Sequence, residues 1–203
     1  MWTTKVPNAI ASERTIIGSP LSHGRCFDSA PPPWSDIAMN CVIRPYAQTD
    51  RPAAVAALSA LQEHERAIHD TRLPGSENSE AYFDQLLGEL SAKAGGMFVA
   101  EQSGRLAGLV AGFIEAYDVL LETSDSCLYG YCSDIYVEPA FRGTGLAQML
   151  LDVLERHLAA EAPITRFRIN VLAVNRIACR GYERAGFVPY EITYERIVRR
   201  QKS

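Results

Sequence analysis

The hydrophobic pattern changes period once between residues 134 and 159, and the change specifies a strand, a turn and a helix in succession. Asp134-Ile135-Tyr136-Val137-Glu138 reads as the end of a strand, stopped at Pro139, which has no N–H to give to a ladder. Arg142-Gly143-Thr144-Gly145 follows as a turn. Leu146, Met149, Leu150, Val153, Leu154, His157 and Leu158 then recur at helical spacing and predict an amphipathic helix over 146–159. The first turn of such a helix carries N–H groups without intrahelical partners and about half a positive charge, which together favour an anion. Gly143 and Gly145 allow the backbone to come close to a ligand, and Arg142 adds a forked cationic donor. A plain glycine turn is the competing reading of these residues.

Two other phosphate-binding turns fit poorly. A Walker A loop needs Gly-Lys-Ser/Thr, and no lysine stands between Lys93 and Lys202. A Rossmann fingerprint needs a third small residue where Gln148 or Met149 stands, which leaves a Rossmann-like nucleotide protein as the weaker alternative.

Around this unit the elements follow in order. Residues 41–46 read as a first strand, and Asp50 is expected to cap a helix starting near Pro52, with Val55, Leu58, Leu61 and Ile68 on its apolar face. Leu73-Pro74-Gly75 breaks the pattern; a second helix is expected over 79–93, with Tyr82, Phe83, Leu86, Leu87 and Leu90 inward and Gly95-Gly96 beyond its end. Residues 97–101 and 105–115 read as strands around Ser103-Gly104, and 128–137 as the next, after a polar loop at 118–126. Residues 166–172 predict a strand, 175–185 a helix, and 187–198 one or two closing strands. This order predicts an α/β fold with a mixed sheet, antiparallel early and parallel at the crossover. Residues 1–38, with Pro31-Pro32-Pro33, read as an irregular N-terminal extension to a domain over 39–203.

Bulk properties narrow the function. The chain has 203 residues, 47% of them hydrophobic, which suits one domain plus the extension. A net charge of −4 argues against a general nucleic-acid binder. Residues 1–141 carry 9 basic and 18 acidic side chains, whereas residues 142–203 carry 11 and 6. The positive C-terminal part suits a polyanionic ligand, and chance asymmetry of a solvated surface accounts for it equally well. Five cysteines without a C-x-x-C pair read as reduced thiols in a cytoplasmic protein, and no zinc site or other metal site is indicated. The longest apolar stretch, 106–114, is far short of the roughly 20 residues that span a bilayer, and no signal peptide is visible at the N-terminus.

Asn175, Ala178 and Tyr182, spaced i, i+3, i+7, line one face of the later helix, ahead of Gly186-Phe187. Taken singly, Asn175 fits a helix N-cap and Tyr182 an amphipathic core tyrosine. Taken with Arg142, Gly145 and Ala147, which match Arg/Gln-x-x-Gly-x-Gly/Ala position for position, they resemble the acyl-CoA signature of the GCN5-related N-acetyltransferase (GNAT) family. The strong match covers about 55 residues; residues 41–133 agree only in element order.

The resemblance implies an acyl-CoA N-acyltransferase fold: a mixed, centrally splayed β-sheet flanked by helices. It implies acetyl-CoA (coenzyme A) as cofactor, held by Ile135, Tyr136, Val137, Arg142, Gly143, Thr144, Gly145, Leu146, Ala147, Asn175 and Ala178. The Val137 N–H would polarise the thioester carbonyl, and Tyr182 would protonate the departing thiolate. An amine attacks directly, so Cys132 and Cys179 are expected to be small buried hydrophobes and not nucleophiles. Some relatives carry a glutamate base where this chain has Tyr131, a departure that leaves Asp134 and Glu115 as candidates. Residues 63–84 hold six acids against Arg66 and Arg72, and residues 115–125 hold four with no base. The acceptor is accordingly expected to be a cationic small-molecule or peptide amine, with solvated helix faces as the competing explanation. The closing strands of this fold often pair between subunits, which allows a homodimer; neither nucleic acid nor membrane is expected as a partner. A non-catalytic acyl-CoA sensor is the alternative to the enzyme.

Overall fold

The computed structural model describes residues 41–117 and 120–198; the expected extension over 1–38 lies outside the described residues. Five strands form one sheet in sequence order: β1 (Val42–Pro45), β2 (Gly96–Gln102), β3 (Arg105–Ala116), β4 (Leu128–Val137) and β5 (Phe167–Ile169). Helices α1 (Arg51–Ile68) and α2 (Gly75–Ala92) lie between β1 and β2, α3 (Leu146–Glu161) between β4 and β5, and α4 (Arg176–Arg184) after β5. β1 to β4 pair antiparallel, and β5 joins β4 in parallel after the α3 crossover. This is the mixed α/β sheet that the order of elements predicts. Among the described residues no helix is long and apolar enough to cross a membrane.

Each face of the sheet is covered by its own core. Leu146, Leu150, Leu154 and Leu158 of α3 are buried with Ala107, Val110 and Cys132. On the other face, Val55 and Leu58 of α1 and Phe83, Leu86 and Leu90 of α2 pack on Val99, Leu109 and Phe113. α3 comes close to β3 because two of its contact positions are glycines: a Cβ at Gly108 would stand 2.9 Å from Leu150 Cδ1, and one at Gly112 would stand 2.8 Å from Leu154 Cδ2. At Gly112 the added atom would also run into the Tyr131 carbonyl on β4.

Gly112 marks a β-bulge. It pairs with Cys132, while the preceding Ala111 pairs with Asp134, so Ser133 is an extra residue without an opposite number. Strict alternation would put Cys132 and Asp134 on one face. The extra residue places Cys132 in the core under α3 and turns Asp134 toward α2, where Tyr82 reaches it. Pairing between β4 and β5 ends at the same point, with Cys132 opposite Ile169. The sheet therefore splays directly beyond the bulge.

Several expectations change. α2 starts at Gly75, four residues before the expected Ser79, and Glu63 Oε1 accepts the Gly75 N–H at 2.6 Å. Asp50 is the N-cap residue of α1, as expected, but its side chain makes no bond to the helix; the carboxylate binds the Arg44 guanidinium (2.6 and 2.8 Å) and the Ala47 N–H (2.8 Å) instead. Tyr82 is not a core residue but is 38% exposed. β5 has three residues where seven were expected, and residues 187–198 form no strand. Val188, Tyr190, Ile192 and Tyr194 keep a strand-like alternation, yet all are exposed. A strand needs a ladder partner, and the short β5 offers little edge to pair with.

Candidate active site

The turn before α3 is shaped by two left-handed glycines, Gly143 (φ 78°) and Gly145 (φ 90°). Gly145 is the N-cap of α3, and no side chain caps the helix. The first ladder bond runs from the Met149 N–H to the Gly145 carbonyl (3.2 Å), so the N–H groups of Leu146, Ala147 and Gln148 open onto the mouth of the helix. A Cβ added at Gly143 or Gly145 would meet nothing within 4 Å, so the space above the turn is clear. The Leu146 side chain is fully buried in the core and contributes only backbone here. The buried Thr144 donates its hydroxyl to the Phe141 carbonyl at 2.7 Å, which braces the turn from within. Arg142 is folded back, with Nε on the Val137 carbonyl at 3.1 Å.

β4 brings the splayed edge to this turn. The Glu138 N–H donates to Ala107 on β3 at 3.0 Å. Backbone groups alternate sides along an extended strand, so the N–H groups of Ile135 and Val137 face away from β3, toward the edge that β5 has left. Ile135 and Val137 pack against the α3-side core, whereas Tyr136 is buried with its hydroxyl on Glu138 Oε2 at 2.6 Å.

α4 supplies the phenol. Asn175 is its N-cap, with Oδ1 accepting the Ala178 N–H at 3.2 Å. At the other end Gly186 (φ 90°) closes the helix: the Phe187 N–H binds the Tyr182 carbonyl (3.0 Å) and the Gly186 N–H the Glu183 carbonyl (3.1 Å). This pair of bonds is a Schellman cap, and it accounts for the Tyr-x-x-x-Gly-Phe spacing. It fixes Tyr182 on the last turn, edge-on to Phe187 with ring centres 6.0 Å apart. Burial above all, then the neighbouring Cys132, Glu65 and Cys179, pushes the Tyr182 phenol well above the ordinary tyrosine range, so it keeps its proton.

On the opposite face, the Asp134 residue is 6% exposed. Desolvation raises its pKa to about 6; Glu65 and Glu89 push the same way, and hydrogen bonds from Tyr82 and Ser133 oppose them. The Tyr82 hydroxyl reaches both carboxylate oxygens, at 2.9 and 3.1 Å. Tyr131, where relatives with a glutamate base would carry it, lies on this face against Phe113, at 5.6 Å between ring centres.

Glu115 is not brought to the same place. It pairs with Tyr129 across the sheet and is bound by Lys93 Nζ at 2.7 and 3.0 Å. Ala111, the partner of Asp134, is four residues away along β3, or about 13 Å. Sequence reasoning did not single out Tyr82 or Glu89 for this site, because nothing local to either residue reports a neighbour on β4.

A family profile described as Acetyltransferase (GNAT) family matches residues 58–187. A point mutant of the BH1408 protein of Bacillus halodurans superposes with a TM-score of 0.64 at 17% identity, over 77% of this chain and 99% of that one. The aminoglycoside 6'-N-acetyltransferase AAC(6')-IG of Acinetobacter haemolyticus gives 0.56 at 18% identity, over 78% and 99%. Glucosamine-6-phosphate N-acetyltransferase of Arabidopsis thaliana gives 0.54 at 18%, over 77% and 97%. At these identities the likeness speaks for the fold. No match is found among curated protein sequences.

Proposed function

The chain belongs to the GNAT acetyltransferase family, and from that premise we propose that it is an acyl-CoA-dependent N-acyltransferase that moves an acetyl group from acetyl-CoA to a primary amine on a cationic small molecule or peptide. The observation that carries this reading is the edge of β4 left open beyond Cys132, with an uncapped helix mouth beside it and a buried carboxylate on its other face.

The residues present fit acyl-CoA. The clear space over Gly143 and Gly145 admits a pyrophosphate, and the backbone N–H groups of Leu146, Ala147 and Gln148 open onto it, with Arg142 beside them. Ile135, Tyr136 and Val137 offer a strand edge to the pantetheine, and Asn175 and Ala178 of α4 are assigned to the same cofactor. Bound acetyl-CoA would supply the thioester and its acetyl group. The Val137 N–H would be the donor available to the thioester oxygen. Asp134 would take the proton of the alkylammonium, whose own pKa lies near 10, and so leave the amine neutral for direct attack. Tyr182, held protonated by burial, would be the proton donor on the leaving-group side. Burial pushes the Cys132 thiol well up, so it is no nucleophile. Glu115, tied to Lys93, takes no part.

Glu65 and Glu89 act electrostatically on Asp134, which favours an acceptor that arrives as a cation. In the same reading the protein is cytoplasmic, where thiols such as Cys127, Cys132 and Cys179 would stay reduced. It also pairs as a homodimer through residues 188–198, whose exposed apolar row lacks a partner strand within the described residues.

Thiol release from acetyl-CoA over an amine panel tests the proposal. Diamines, aminoglycoside-type amines and basic peptide N-termini are expected to release thiol well above anionic amino acids. Equal turnover of both groups removes the cationic acceptor. Tight acyl-CoA binding without release for any amine replaces the enzyme with a sensor.

A further inference from the structure

We propose that Tyr82 is a positioning residue for the Asp134 base: its hydroxyl clamps both carboxylate oxygens, and its ring stands between that carboxylate and solvent. The inference rests on the reading of Asp134 as proton acceptor given above. The two residues are 52 positions apart, so only the packing of α2 on β4 brings them together. That packing is secured independently of the phenol. Phe83, Leu86 and Leu90, all buried, anchor α2 in the core. Tyr82 itself is 38% exposed while its oxygen sits 2.9 Å from the 6%-exposed Asp134. The partly exposed ring thus lies over the buried base.

The clamp has two consequences. The single phenolic hydrogen, shared between both oxygens, restrains rotation of the carboxylate and leaves it further lone pairs to accept a proton. The same bond favours the ionised form, against burial and against Glu65 of α1 and Glu89 of α2. The other groups that interact with this pair are Tyr131 and Cys132 and the Ser133 hydroxyl, all of β4. None of the charges acting on Asp134 from these elements is positive, so the donors Tyr82 and Ser133 oppose neutralisation. Tyr82 remains a donor throughout, since burial and the facing carboxylate raise its own phenol well above the ordinary tyrosine range.

The test is Tyr82→Phe, which keeps the ring and removes one oxygen. Carbon-13 NMR titration of the Asp134 carboxyl in the ligand-free protein is expected to show its pKa rising by about one unit. The acid limb of kcat/KM, measured with the best amine of the panel, is expected to rise by the same amount. A lost packing contact would lower the rate without moving either midpoint. An unmoved or lowered midpoint in Tyr82→Phe overturns the proposal while leaving Asp134 as base. Asp134→Asn separates the two claims: if it keeps the parent's rate and acid limb, the base assignment fails and the role of Tyr82 fails with it. Absence of turnover with every amine fails the enzyme reading and ends the catalytic claim for both residues.

Discussion

The mouth of α3 and the carboxylate on the other face of β4 treat negative charge in opposite ways. At the mouth, backbone N–H groups, two left-handed glycines and an exposed Arg142 face open space, so a ligand's charge meets fixed dipoles already in place. Around Asp134 the protein is dry and its nearest charges are acidic, so the carboxylate is held near pH 6 at the edge of neutrality. The first arrangement holds a charge that never changes. The second keeps a group able to change its charge during a reaction, at a cost in stability that the first does not carry.

The largest effect should follow from removing that cost and that function together. Asp134→Asn is expected to lower kcat/KM by about 10²- to 10⁴-fold, the range for a lost general base. The folded pKa of about 6 lies above the unfolded value, so the folded state binds the proton more tightly. The contribution of Asp134 to stability is therefore fully present below about pH 4 and is lost as pH rises through about 6. The variant should gain up to about 3 kcal/mol at pH 8 and nothing at pH 4, read by chemical denaturation at both. A variant that is inactive and also less stable at pH 8 would mean that the carboxylate is structural.

On the other side of the strand, Tyr182→Phe should lower kcat by about 10- to 100-fold and leave the KM for acetyl-CoA unchanged, because a general acid acts only on the leaving group. Gly145→Ala should do the reverse. Its φ of 90° costs a side-chain-bearing residue roughly 1–2 kcal/mol, and the added methyl projects into the space assigned to phosphate. The KM for acetyl-CoA is expected to rise about 10-fold at nearly constant kcat. Neither change should move the Asp134 titration, and a shift in either variant would show that the two regions are coupled through β4.

The two regions also differ in how far they can be read from the chain alone. The turn and α4 are written in contiguous residues: Gly143, Gly145, the apolar stripe of α3, and a Gly186 cap that sets Tyr182. Asn175 fits both a helix N-cap and a cofactor contact from sequence, and its oxygen on the Ala178 N–H establishes the cap without excluding the contact. The acceptor face depends on Ser133 being an extra residue, which reverses the alternation and sends Asp134 away from Cys132. That bulge sits against Gly112 on another strand, so periodicity within 128–137 cannot report it. Tyr82 was read as core because its helical position beside Phe83 is ambiguous without knowledge of the facing strand. The alternation over 188–194 was legible as a strand pattern, but a strand exists only with a partner, and the short β5 was not visible in advance.

The smallest effect isolates long-range charge from fixed backbone dipoles within the helix mouth itself. Arg142 is exposed, and a single bond from its Nε to the Val137 carbonyl holds it at the turn. An exposed cation near a phosphate contributes little and is screened by salt, with a Debye length of about 10 Å at 0.1 M and about 3 Å at 1 M. Arg142→Ala should therefore raise the KM for acetyl-CoA only about threefold in low salt, and the difference should vanish near 1 M salt. The Gly145→Ala penalty arises from backbone strain and occupied space, which salt does not screen, and should persist at the same ionic strength. If both penalties fade together, the grip on the cofactor is a diffuse field and not the aligned N–H groups of α3.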